Sequence, residues 1–260
     1  MTYNIRYDGS VYDAPQLTAN HWENRKDVQI GLLNFHHPDV VGLQEALQHQ
    51  VEYFADNLPG YKWVGVGRED GEQEGEYNPI FYNSKRFTLV KYDTFWLSNT
   101  PQKPSKSWDA GYTRICTWGL LEDKQNGTKF FLFNTHFDSK GRVARLESAK
   151  LLKEKIKEIA GGTAVIVTGD FNFIPNSKAY KEITSGKLLR DSKKASRYPP
   201  YGPEGTFSGF DYNAQLKSRI DYIFVNTKVN VQKYGVLTDS YNQKYPSDHL
   251  PVMIEVEISE

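Results

Sequence analysis

Hydrophobic positions along the chain recur with two different spacings. Apolar runs that are rich in β-branched and aromatic residues and bounded by polar turns are typical of strands. We predict strands in the following segments: 1–7, 38–45, 61–67, 78–83, 86–97, 112–123, 129–137, 163–171, 218–226, 230–239 and 249–258. The segments between 61 and 137 follow one another so closely that we expect a long antiparallel meander.

Helical spacing is found in fewer segments. Asn20 and Glu23 form a capping-box pattern, which predicts a helix over residues 21–36. The apolar residues that support it at near-helical spacing are Val28, Leu32 and Phe35. Further helices are expected over residues 46–58, 142–160 and 177–184. This order of elements fits an α/β fold in which two mostly antiparallel sheets pack face to face with helices outside.

Composition limits the class of protein. The 260 residues are 38% hydrophobic and 14% aromatic, which is ample for a large core. No repeat or long linker divides the chain, so we expect a single domain over residues 1–260. No apolar run approaches the ~18 residues of a membrane span, and we expect a soluble chain.

Charge and cysteine content say less about partners and compartment. The 32 basic and 32 acidic residues cancel, which does not favour binding of long duplex DNA. Nothing in the sequence indicates a protein partner. Cys116 is the single cysteine, so the compartment stays open. Because Asn4 lies so near the first residue, we expect further residues upstream, and an export signal would account for them.

Polar side chains follow several of the predicted strands. In "VIVTGDFNFIP", Asp170 and Asn172 lie two residues apart at the end of an apolar run, so an extended chain would direct both to one side. A turn that ends the strand is the alternative. Other strands begin or end with residues of the same kind, namely Asn4, Glu45, His136, Asp221, Asp248 and His249. Each could instead be a helix cap, an interior histidine or a turn residue, but together they indicate a site.

The motifs "LQE", "NTH", "GDFN", "IDYIF" and "SDH" occur in this order along the chain. Their sequence and spacing resemble the endonuclease/exonuclease/phosphatase superfamily over nearly the whole length. The sequences of several segments are similar to those of the deadenylase and nocturnin-like branch and of exported bacterial relatives. The resemblance implies a four-layered α/β-sandwich with the active site at one edge of the two sheets.

The resemblance also implies roles for these residues in phosphate-ester hydrolysis. Asp170 would orient or deprotonate the attacking water, and Asn172 and Asn4 would hydrogen-bond the water or the phosphate. His249 would meet the phosphate, with Asp221 behind it. A histidine paired with a carboxylate stays cationic near neutrality.

The remaining roles concern the metal and the leaving group. Glu45 is a carboxylate of the kind that suits Mg²⁺ or Mn²⁺, and Asp248 would support the metal shell. His136 would lie nearest the leaving oxygen. Arg6 stands where apurinic endonucleases have a ligand aspartate, which weakens the case for base-repair activity.

The substrate is less determined than the chemistry. We expect a metal-dependent phosphoesterase that hydrolyses a phosphodiester of a small or single-stranded nucleic-acid-type substrate by water attack. A phosphomonoesterase for sugar, inositol or nucleotide phosphates is the alternative, as is a catalytically silent binding protein. Superfamily members differ too much for substrate choice to be carried over.

Three segments bear on the substrate. Trp108 and Arg114 lie in a stretch with prolines and aromatics, where we expect Trp108 to be exposed and both residues to contact substrate. The acidic insertion 67–79 is interpreted as a solvated loop without an apolar anchor, and the basic stretch 187–197 as another solvated loop.

Overall fold

Two six-stranded sheets form the centre of the molecule. The computed structural model describes residues 1–9 and 20–259. One sheet has the order β11-β12-β1-β2-β4-β3. Its strands are β1 (Thr2–Asn4), β2 (Val40–Gln44), β3 (Tyr61–Val64), β4 (Ile80–Asn83), β11 (Val229–Val236) and β12 (Val252–Ile258). Within the described residues, β1–β2 is the only parallel pair of this sheet.

The second sheet has the order β5-β6-β7-β8-β10-β9. Its strands are β5 (Phe87–Trp96), β6 (Ile115–Asp123), β7 (Lys129–His136), β8 (Ala164–Asp170), β9 (Arg190–Asp191) and β10 (Asp221–Val225). The β7–β8 pair is parallel and the other pairs are antiparallel. The predicted meander is therefore split, because β3 and β4 belong to one sheet and β5, β6 and β7 to the other.

Helices cover the outer faces of both sheets. They are α1 (Lys26–His36), α2 (Gln48–Asn57), α3 (Arg142–Ala160), α4 (Lys178–Thr184) and α5 (Ser192–Ala195). Three apolar clusters separate the layers. One lies between the sheets, one lies between α3, α4 and the second sheet, and one lies between α1, α2 and the first sheet. The expected four-layered α/β-sandwich is confirmed.

The first helix differs from its prediction. A 3₁₀ turn over Trp22–Asn24 precedes α1, and the Asn20 side chain does not cap it. Phe35 is 81% exposed, so it is not part of the buried face. The predicted capping box does not form. Instead, Arg25 holds the segment before α1, because its guanidinium donates to the backbone carbonyls of Asn20 at 2.6 Å and Ile5 at 2.7 Å.

The basic stretch 187–197 is also more structured than expected. It contains β9 and α5, and the guanidinium of Arg219 forms a buried ion pair with Asp191 at 2.7 Å. The buried side chain of Leu189 packs in the apolar cluster under α3 and α4 and so ties the stretch to the core. Charge dominates its composition, and the apolar and capping residues that order it are too few to form a periodic pattern.

A buried polar network joins the two sheets just below the strand ends. Asn134 of β7 accepts hydrogen bonds from Gln44 Nε2 at 2.7 Å and Thr168 Oγ1 at 3.0 Å, and donates to Leu43 O at 2.7 Å. Gly42 leaves room for it, because a Cβ there would lie 2.4 Å from both Asn134 Oδ1 and Thr168 Oγ1. The network fixes one sheet against the other where the functional side chains emerge.

Among the described residues, no helix has the length and apolar character needed to cross a membrane.

Candidate active site

The functional side chains emerge where strands of both sheets end. Asn4, His136 and Asp170 are the last residues of β1, β7 and β8, and Asp221 is the first residue of β10. The register places His136 beside Asp170 and Asp170 beside Asp221. The fold thus brings together at one edge residues that are up to 217 positions apart in sequence, from Asn4 to Asp221.

Asn4 connects the two halves of this site. Its Nδ2 donates to Glu45 Oε1 and to Asp170 Oδ2, both at 3.0 Å. Glu45 follows β2 with a left-handed backbone (φ 66°), a conformation that is uncommon outside glycine and often found at functional sites. Its second oxygen accepts from the backbone N–H of Tyr7 at 3.2 Å, and Arg6 Nη1 lies 3.9 Å from the same oxygen.

His249 and Asp221 form a buried pair on one side of the site. His249 Nδ1 lies 2.8 Å from Asp221 Oδ2, which also accepts from Thr206 Oγ1 at 2.6 Å. Burial alone would lower the pKa of His249, but Asp221 and Asp170 outweigh it and hold this pKa well above its usual value. His249 is therefore a cation near neutral pH, with Nε2 directed toward Asp170 at 3.7 Å.

The pKa values of the two carboxyl groups that face Asn4 are shifted in opposite directions. Burial and the nearby Asp221 raise the pKa of Asp170 to about 7. Burial acts on Glu45 in the same direction, but His249, Arg6 and the hydrogen bonds from Asn4 and Tyr7 together lower its pKa. Near neutral pH, Glu45 is a carboxylate and Asp170 is able to take up a proton.

The same region has the donor atoms for a divalent cation. Ligand oxygens of Glu45 and Asp170 lie within 4.8 Å of each other, and so do those of Asp170 and Asp221. His136 and His249 each bring a ring nitrogen to the same distance, but a nitrogen that carries a proton cannot coordinate a metal ion. The carboxyl groups of Glu45 and Asp170 lie close together, and the raised pKa of Asp170 shows that negative charge is unfavourable there. A positive charge between them would therefore be stabilised. The carboxylates of Glu45 and Asp170 therefore fit a divalent cation, and the assignment of Glu45 as its ligand stays a prediction.

His136 is held on both sides of its ring. Arg114 Nη1 lies 2.8 Å from Nδ1, while the amide of Asn172 lies 3.0 Å and Asp170 Oδ2 3.4 Å from Nε2. Burial, followed by the positive charge of Arg114, lowers the pKa of His136 well below its usual value. Because a guanidinium only donates, Nδ1 accepts, and the neutral ring carries its proton on Nε2. Asp170 Oδ2 can accept from this N–H group, whereas the Asn172 atom beside it is Nδ2, a donor that is bonded to Phe137 O.

Asn172 reaches the site by a turn. The strand ends at Asp170, Asn172 has a φ of 50°, and its backbone N–H donates to Asp170 Oδ1 at 2.9 Å. The two side chains do converge, as expected, but the extended geometry from which this was predicted is wrong. The turn that the sequence offered as an alternative is what brings them together.

Glu76 was not predicted, although it lies in the site. Its Oε2 is 3.3 Å from Arg114 Nη1 and 3.7 Å from His136 Nδ1, and it also pairs with Arg68 Nη1 at 2.5 Å. The insertion 67–79 is thus not merely solvated, and Tyr77, which is 3% exposed, anchors it. Glu76 was missed because it stands in a run of acidic residues that face solvent, and the sequence does not show that this one contacts Arg114 and Arg68 instead.

Trp108 and Asp248 are less closely tied to the centre. We expected Trp108 to be exposed, but it is half-buried. The contacts described for residues 1–9 and 20–259 join it to none of the clustered residues. Its neighbour Asp109 accepts from the backbone N–H of Ala144 at 2.6 Å and so fixes this loop to the start of α3. Asp248 is half-buried beside His249, and burial raises its pKa. Its part in holding a metal stays a prediction.

The fold and this edge of polar residues define a class of protein. The family model described as the Endonuclease/Exonuclease/phosphatase family matches residues 1–249, and the chain belongs to this family. Its members are hydrolases that act on phosphate esters and depend on divalent metal ions. The predicted resemblance is confirmed.

Particular relatives come from bacteria and eukaryotes. The chain is similar to a mannosyl-6-phosphatase of Bacteroides thetaiotaomicron, with 40% identity, a TM-score of 0.93, and coverage of 99% of this chain and 98% of that one. The human nocturnin catalytic domain shares the fold, with 23% identity, a TM-score of 0.76, and coverage of 98% and 91%. The CCR4-Not complex 3'-5'-exoribonuclease subunit Ccr4 of Emericella nidulans is 24% identical over 99% of this chain, which spans only 51% of that protein.

Proposed function

We propose that this protein is a metal-dependent phosphomonoesterase that removes phosphate from the primary 6-hydroxyl of a hexose such as mannose. The observation that carries the proposal is the 40% identity over nearly the full length with a mannosyl-6-phosphatase. The Ccr4 relatives are only 23–25% identical and about twice as long. They therefore support hydrolysis of a phosphodiester less strongly than the mannosyl-6-phosphatase supports hydrolysis of a sugar phosphate.

The metal belongs to this proposal. Glu45 would hold a divalent cation, for which we propose Mg²⁺ or Mn²⁺, with Asp248 in support. When bound, such an ion supplies positive charge that neutralises phosphate oxygens.

The attacking water is assigned to Asp170. With a pKa of about 7, this carboxylate accepts a proton from water near neutral pH, while Asn4 and Asn172 hold its position from either side. The water oxygen bonds to phosphorus as the bond from phosphorus to the sugar oxygen breaks. The sugar oxygen takes up a proton from solvent and leaves as the alcohol, and Asp170 returns to solvent the proton that it took from the water.

Charge on the phosphate is balanced by His249. Its pairing with Asp221 keeps it cationic, and its Nε2 faces the space in front of Asp170. His136 stays neutral and offers the Nε2–H group, since Arg114 occupies Nδ1. We assign His136 to hydrogen bonding near the leaving oxygen, where a neutral donor stabilises developing charge.

The test is a comparison of substrates with and without metal. Mannose 6-phosphate and a single-stranded dinucleotide are incubated with the protein in Mg²⁺, in Mn²⁺ and with a chelator, and phosphate and nucleotide products are measured. We expect phosphate release from the sugar ester that the chelator abolishes. Cleavage of the dinucleotide without release of phosphate from the sugar ester would overturn the proposal.

A further inference from the structure

Arg25 is a buried cation next to two segments of the proposed active site. It is 3% exposed, and within the described residues its guanidinium donates only to backbone carbonyls. The acceptors are the carbonyl oxygens of Ile5, Arg6, Tyr7, Asn20 and Pro246. Removing a charge from water is costly unless hydrogen bonds replace the lost hydration. These carbonyls provide that replacement, and most of them belong to two segments that carry site residues.

The first of these segments directly follows Asn4. The strand β1 ends at Asn4, and Arg6 has a left-handed backbone with a φ of 58°, so the chain leaves the sheet here. Arg25 Nη1 donates to Ile5 O at 2.7 Å. Its Nη2 donates to Arg6 O at 3.2 Å and to Tyr7 O at 3.4 Å. Because buried carbonyls need a donor, the guanidinium fixes the path by which the chain leaves Asn4.

The same guanidinium reaches the segment that precedes His249. Arg25 Nη1 also donates to Pro246 O at 3.1 Å. Gln29 lies four residues further along, on the same face of α1, and its Nε2 donates to Pro246 O at 2.7 Å and to Ile5 O at 2.9 Å. Two side chains at the start of α1 thus join the two segments.

The alignment of the two segments determines how Asn4 and His249 lie relative to each other. Asn4 Nδ2 is 3.5 Å from His249 Nε2, and it donates to Asp170 Oδ2 at 3.0 Å. Ser247 also connects the segments, because its Oγ donates to Asn4 O at 2.7 Å and accepts from the His249 N–H at 3.3 Å. A displacement of catalytic groups by about 1 Å can lower a rate about 100-fold. Small shifts between these segments therefore matter for the reaction.

We propose that Arg25 is a positioning residue, which holds Asn4 and His249 at their working separation without touching the substrate. The inference rests on the proposed function, because it takes both residues to act on the phosphate ester. A guanidinium suits this task, since its N–H groups point in several directions within one plane and meet carbonyls that converge from different segments. A lysine ammonium is a single point and cannot reach all of them. Gln29 supports the same bridge.

The experiment measures kcat and KM for mannose 6-phosphate in Mg²⁺, well below the midpoint of thermal unfolding of each variant. We expect kcat to fall about tenfold to 100-fold in Arg25→Lys and about threefold to tenfold in Gln29→Met, where Arg25 still forms the bridge. KM should change less than about threefold, because neither side chain touches the substrate.

Leu33→Ala is the matched control. Leu33 is a buried residue of the same helix, and it packs in the apolar cluster between α1, α2 and the first sheet. Its loss leaves a cavity and lowers the unfolding temperature, but removes no hydrogen bond to either segment. We expect its kcat to stay within about twofold of the parent protein.

The other outcomes overturn one proposal or both. If Arg25→Lys and Gln29→Met are less stable but keep the kcat of Leu33→Ala, the two side chains only stabilise the fold, and the positioning role is wrong. If Arg25→Lys does not fold, Gln29→Met decides by the same criterion. A parent protein that cleaves a single-stranded dinucleotide but not mannose 6-phosphate overturns the proposed function alone, and the same comparison on the dinucleotide tests Arg25. A parent protein that hydrolyses neither overturns both.

Discussion

At the scale of single residues, the chemistry depends on which carboxyl group is forced to hold a proton. Asp170 and Glu45 both receive a hydrogen bond from Asn4, yet their pKa values move in opposite directions. The difference comes from their neighbours, because Asp221 lies beside Asp170 while Arg6 and a backbone N–H lie beside Glu45. One carboxylate is thus suited to accept a proton and the other to stay charged.

We expect Asp170→Asn to lower kcat by about 10²–10⁴-fold, the usual effect of removing a positioned general base. The fold should be retained, since the amide has the same shape and avoids burying a carboxylate. Steady-state kinetics and thermal unfolding measure the two effects. Asp239→Asn, at the His36 pair away from the site, is the control. An unchanged kcat in folded Asp170→Asn protein would exclude the assigned role.

The pH dependence should reveal the His249 pair. Asp221 raises the pKa of His249, so the cation persists above the ordinary histidine value and is lost only as pH rises through the raised pKa. In Asp221→Asn, that support is removed, and we expect the alkaline limb of the kcat/KM profile to move to lower pH. A limb at the same pH in both proteins would mean that another group determines it.

At the scale of secondary structure, the sequence predicted elements better than their pairing. The helix over residues 142–160 matches α3, because the apolar and charged faces of a long helix repeat many times. The meander was wrong because β4 and β5 are separated by only a few residues and periodicity does not say when a chain crosses to the other sheet. Asn126 and Gly127 lie in the five-residue loop that joins β6 to β7, where Gly127 has a φ of 74°.

The sequence likewise predicted one part of the candidate site and missed another. Residues that end strands were found, since an apolar run that stops at a carboxylate or histidine is a local signal. Glu76 and Thr206 were missed because they lie in loops, where only tertiary contacts distinguish them from solvated residues.

The network between the sheets gives a prediction for β2. In Gly42→Ala, the new methyl group would meet Asn134 and Thr168, so we expect destabilisation of about 1–3 kcal/mol, typical of overpacking. Urea unfolding measures the loss. Gly162→Ala is the control, because a Cβ there has nothing within 4 Å among the described residues. Equal stability of the two variants would show that the network yields without cost.

At the scale of the whole molecule, charge bears on the size of the substrate. Equal numbers of acidic and basic residues, 32 of each, and a site edge that includes Glu76 argue against many simultaneous phosphate contacts. Each neutralised phosphate of duplex DNA steepens the log-log dependence of affinity on salt by about 0.9. We therefore expect weak binding of long duplex DNA with a shallow slope. Tight binding with a slope that corresponds to about six or more phosphates would contradict this.

The amide of Asn4 has a consequence for how activity and folding are related. It donates hydrogen bonds both to Glu45, which follows a strand of one sheet, and to Asp170, which ends a strand of the other. A small slide of one sheet over the other changes the separation of these two carboxylates before any strand is lost. Catalysis is then a more sensitive reporter of sheet alignment than spectroscopic signals of secondary structure, and substitutions in the apolar layer between the sheets act on the reaction without touching the substrate.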